Sequence, residues 1–88
     1  MPNFTKRLYK RVKDLRKVKL TRHAKNRNRR IKATIQEIID AIEMSDEHYV
    51  QEDGRHVAIK ATGNKQLKVV YVLEGRDVVV LTIIERSK

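Results

Sequence analysis

Three turn signals, Asp53-Gly54, Gly63-Asn64 and Glu74-Gly75-Arg76, cut the C-terminal half of this 88-residue chain into pieces of strand length. Connections this short leave no room for crossover helices, so the pieces must follow one another as an antiparallel meander. Four strands are expected, near residues 47–52, 55–61, 66–73 and 77–84. Val69-Val70-Tyr71-Val72-Leu73 and Val78-Val79-Val80-Leu81 are apolar on both faces and belong inside the sheet. The first two strands alternate with polar residues and belong nearer an edge.

Ahead of the strands the periodicity is helical. Thr34-Ile35-Gln36-Glu37 reads as a capping box, in which hydroxyl and carboxylate each satisfy an orphan amide. It opens a helix over 34–44 whose apolar face is Ile35, Ile38, Ile39 and Ile42. Its β-branched residues lower intrinsic propensity, so packing on the sheet must hold it. Thr21 is placed to cap a shorter helix in which Ala24 and Ile31 offer little to bury. Val18 and Leu20 alternate with Lys17, Lys19 and Thr21, as a short strand or an extended linker would. Phe4, Leu8, Val12 and Leu15 mark a basic amphipathic helix. The expected architecture is α+β: N-terminal helices packed on a four-stranded antiparallel sheet, with an arm at 1–19 and one domain over 20–88.

Charge is segregated along the chain. Fourteen of the twenty-one Lys and Arg residues lie at or before Lys32, where Asp14 is the only acid; after it, acids outnumber bases ten to seven. With a pI near 10.2, this is the pattern of a phosphate-binding surface, because each cation that reaches a phosphate releases a condensed counterion. The partner expected is nucleic acid, RNA favoured, and a membrane is the less favoured polyanion. The arm would contribute Lys6, Arg7, Lys10, Arg11, Lys13, Arg16, Lys17 and Lys19. The domain would contribute Arg22, Lys25, Arg29, Arg30 and Lys32. There is no Cys, which excludes disulfides and zinc–thiolate sites and fits a reducing cytoplasm; no cofactor is expected. The longest apolar run, Val78 to Ile84, is far too short to span a bilayer.

The run Leu20-Thr21-Arg22-His23-Ala24, then Arg27, Arg30 and Ile31, then a capped helix and a closing Val80-Leu81-Thr82-Ile83-Ile84, resembles a family of small bacterial and phage domains with an HA-x-x-R signature. Those domains look like relatives of the RelE/ParE and BrnT toxins. The resemblance implies helices on a curved antiparallel sheet, metal-independent endoribonuclease activity, and an acidic antitoxin protein as partner. Such cleavage needs an acid/base group and cations for the phosphorane charge. His23 is the candidate acid/base, Arg27 lies one helical turn on, and Lys68 and Arg86 are candidate phosphate ligands. Lys68 shares parity with Val70 and Val72, and Thr82 with Val78 and Val80, so each is expected on an otherwise apolar face, lining a cleft or marking a strand end, and Thr82 joins the candidate catalytic site. His48 and His56 are expected to be structural or exposed, with the second acid–base group as the lesser alternative for either. A non-catalytic binder of RNA or DNA would show the same charge pattern.

Overall fold

The computed structural model describes residues 17–87. The helix expected over 4–15, with Lys6, Arg7, Lys10, Arg11, Lys13 and Arg16, lies outside the described residues. Element order is β1 (Val18–Leu20), α1 (Arg22–Ile31), α2 (Ile35–Glu43), β2 (Glu47–Val50), β3 (His56–Thr62), β4 (Lys65–Glu74) and β5 (Asp77–Ser87). The α+β class and the β2–β5 meander agree with the sequence reading; the strand count and the purely antiparallel sheet do not. The sheet has five strands in the order β1-β5-β4-β3-β2, with β1 parallel to β5. Val18–Leu20 is the strand of the two alternatives the sequence left open, and it straddles the boundary drawn between 19 and 20. Its partner lies sixty residues downstream, at Val78 to Val80, so no hairpin spacing announced the pairing.

Both helices begin as their caps require. Thr21 Oγ1 accepts from the Ala24 N–H and donates to the Leu81 carbonyl, so one hydroxyl caps α1 and ties it to β5. At α2, Glu37 N–H donates to Thr34 Oγ1 and Thr34 N–H donates to Glu37 Oε1, the reciprocal capping box. Between the helices, Lys32 adopts φ 60° and ends α1 without a glycine.

The main core cluster lies between the helices and one face of the sheet, with Ala24 from α1 and Ile38, Ala41 and Ile42 from α2 over Ala58, Val69, Tyr71, Val78, Val80 and Ile83, while Val57 and Val70 are buried on the opposite face. The α2 face is therefore rotated from the expected one, since Ala41 is fully buried and Ile35 is 51% exposed. The small Ala41 side chain lets the helix backbone approach the sheet.

A β-bulge decides which face each β5 residue serves. Tyr71 pairs with Val80 and Val70 with Thr82, leaving Leu81 as the extra residue. Beyond it the parity reverses: Ile83, not Thr82, joins Val78 and Val80 in the core. Thr82 thus lies opposite to where an uninterrupted period of two placed it, on the outer face beside Val70. Lys68 keeps the predicted parity and shares that outer face, paired with Ile84.

Candidate nucleic-acid interface

The α1 helix turns its least polar line, Ala24, Asn28 and Ile31, toward the sheet; Ala24 is fully buried and the other two are half-buried. At about 100° per residue, the remaining positions divide into two flanks. His23, Arg27 and Arg30 occupy one, and Arg22, Lys25 and Arg29 the other. Arg27 and Arg30 line a groove with Ile31, Ile83, Ile84 and Glu85, which fixes their flank as the one beside the β5 edge.

Every cation of α1, and Lys32 after it, is solvent-exposed. Among the described residues, none of these six has a carboxylate within ion-pair distance. Elsewhere three described carboxylates pair with cations: Lys19 Nζ lies 3.2 Å from Asp77 Oδ2, Arg55 Nε 3.3 Å from Asp53 Oδ2, and Lys65 Nζ 3.7 Å from Glu85 Oε2. Helix α1 itself carries no acid, and Arg22 sits in its first turn, where the macrodipole disfavours a cation. Its last turn holds Arg29 and Arg30, where the dipole favours them.

The candidate catalytic residues do not converge. His23 and Arg27 are exposed on α1, above the helix-covered face, whereas Lys68, Thr82 and Arg86 belong to the outer face, with the sheet between the two groups. The imidazole of His23 has no hydrogen-bond partner among the described residues, so nothing there selects its tautomer or orientation. Of the remaining nucleic-acid candidates, Lys17 is exposed and its carbonyl accepts from Val78 N–H. Lys19 faces outward on β1, away from the α1 array, and is engaged by Asp77.

One cluster went unforeseen. Tyr71 Oη lies 3.3 Å from His48 Nε2, and that nitrogen lies 3.2 Å from His56 Nδ1. The three rings pack together, with His56 and Tyr71 centroids 5.0 Å apart. The turn at Asp53-Gly54 and even parity bring the two histidines to one face; Tyr71 joins through the β3–β4 register, His56 opposite Tyr71. The cluster sits on β2, β3 and β4, whereas α1 packs over β5 and β1, so it does not supply His23 with a second acid/base group. A cleft of about 240 Å³ below the α1–α2 corner is lined by Lys32, Lys60 and Lys65 but also by Glu37, Asp40 and Glu85, a mixture that disfavours phosphate.

No helix among the described residues is long and apolar enough to cross a membrane. Comparison of the chain with protein-family models, with curated proteins and with solved structures finds no match.

Proposed function

We propose that this is a nucleic-acid-binding protein, RNA favoured, that holds the phosphate backbone on helix α1. The observation that carries the reading is the array Arg22, Lys25, Arg27, Arg29, Arg30 and Lys32, exposed and without ion-pair partners among the described residues of a domain whose other described cations are partly neutralised. Unpaired guanidinium groups on a short helix fit a phosphate ladder, because each forms charge-assisted bonds and releases counterions on contact. Contacts of this kind position a backbone without reading bases, so binding tolerant of sequence is expected.

A second reading, a metal-independent endoribonuclease of a toxin–antitoxin system, rests on His23 and Arg27 sharing the flank beside the β5 groove. A His23 imidazole with no hydrogen-bond partner among the described residues, and Lys68, Thr82 and Arg86 behind the sheet, favour binding over cleavage. The deciding experiment incubates the full chain with labelled single-stranded RNA and matching DNA in EDTA, following binding by anisotropy and cleavage on denaturing gels. Salt-sensitive binding with intact RNA is the expected outcome. Cleavage abolished by His23→Ala or Arg27→Ala would establish the enzyme instead, and the absence of salt-sensitive binding would overturn both readings.

A further inference from the structure

We propose that the free edge of β5 beyond its bulge is a strand-addition site for an extended acidic segment of a partner protein. Strand β5 has eleven residues and β1 only three, paired with Val78, Val79 and Val80. At Thr21 the chain leaves the sheet: its N–H donates to the Val80 carbonyl, its hydroxyl to the Leu81 carbonyl, and α1 begins. Among the described residues no strand pairs with this edge past that point.

The direction of the unpaired groups follows from the pleat. Along a strand, side-chain face and hydrogen-bonding edge alternate together, so residues sharing a face send their amides to the same edge. Val78 and Val80, on the core face, use the β1 edge: Val78 N–H donates to the Lys17 carbonyl, and Val80 accepts from Thr21. Ile83 shares their face after the bulge, and Glu85, opposite the core-packed Leu67, follows. The N–H and C=O groups of Ile83 and Glu85 therefore point to an edge that no strand among the described residues pairs with, a template for another strand.

The surroundings specify the occupant. Along the edge runs an open groove of about 160 Å³ lined by Arg27, Arg30, Ile31, Ile83, Ile84 and Glu85. Arg27 and Arg30 stand over its helix side, and Arg86 is exposed on the outer side. A strand laid here meets guanidinium groups with side chains of either parity and apolar Ile83 and Ile84 between them, which selects carboxylates interspersed with β-branched residues. A second copy pairing edge to edge would set two cationic α1 helices side by side, and the repulsion disfavours it. A nucleic acid supplies no peptide ladder, so the pairing edge does not depend on α1 binding phosphate, although Arg27 and Arg30 serve both surfaces.

The test uses the full chain, isotopically labelled, and a synthetic ten-residue peptide alternating Val with Glu and Asp. Amide exchange at Ile83 and Glu85 is expected to slow on binding, with shifts at Arg27 and Arg30. Methylating the peptide's pairing amides is expected to weaken binding at least tenfold, and Glu85→Pro, which removes one outward donor while sparing the β4 ladder, to weaken it as well. Equal affinity for the methylated peptide, protection mapping elsewhere, or a concentration-dependent dimer through this edge would overturn the proposal. Peptide binding without RNA binding would leave this site standing and remove the phosphate reading; the reverse result would do the opposite.

Discussion

Asn28 closes the corner between the two helices with both ends of its amide: Nδ2 donates to the Ala33 carbonyl at 2.9 Å, and Ala33 N–H donates to Oδ1 at 2.9 Å. Two half-buried bonds made by one side chain are worth about 2 kcal/mol. Asn28→Ala should lower the melting temperature by roughly 8 °C or more for a domain of this size, read by circular dichroism. Next to it Lys32 holds φ 60° without being glycine, a conformation that costs about 1 kcal/mol for an L-residue. Lys32→Gly should therefore raise the melting temperature by several degrees while weakening RNA binding, because it removes one cation of the array. The same opposition holds at Arg22: Arg22→Glu relieves a first-turn dipole conflict worth about 0.5 kcal/mol, yet should reduce RNA affinity. A variant whose RNA affinity held or rose would argue that the cation it lost does not hold phosphate. Features at this scale were legible where they are local. The Thr34 capping box and the Thr21 cap are visible in four consecutive residues, but the Asn28 clasp depends on how α1 leaves its αL residue.

Among the elements, β5 diverges most from its sequence pattern, and one residue is responsible. Val78 and Val80 predict that Thr82 faces the core; the extra residue Leu81 sends Thr82 outward and Ile83 inward. The apolar run is uniform on both faces, so period two alone could not reveal the reversal. Deleting Leu81 should remove the bulge yet leave Thr82 outward and Ile83 in the core, because Thr82 would then follow Val80 directly and keep Val70 as its partner. Cooperative thermal unfolding is expected to persist, whereas its loss would refute this assignment of Leu81 as the extra residue and of the faces on either side of it. The pairing of β1 was hidden for a different reason: the alternation of Val18 and Leu20 allowed a strand, but three residues with a distant parallel partner carry no turn signal. Two candidate-site expectations turned on these elements. The exposed basic face of α1 was evident from its residue types, but the separation of His23 and Arg27 from Lys68, Thr82 and Arg86 needed the sheet to be seen between them.

Over the whole molecule, segregated charge becomes segregated surface. The described acids lie on α2, the strands and the loops next to them, while α1 gathers cations that no described carboxylate neutralises. A domain with a core this small has little reason to place a cation at a helix N-terminus for stability, and the phosphate reading supplies one. The salt dependence of single-stranded RNA binding tests that reading most directly. It compares the full chain with a variant carrying Arg22→Gln, Lys25→Gln, Arg29→Gln and Arg30→Gln, which leaves the Ala24, Asn28 and Ile31 line untouched. Each lost phosphate contact lowers the slope of log K against log salt by about 0.7 for a single strand, so a fall of about 2 to 3 is predicted. An unchanged slope and affinity would contradict the account, because phosphate would then be held somewhere other than α1.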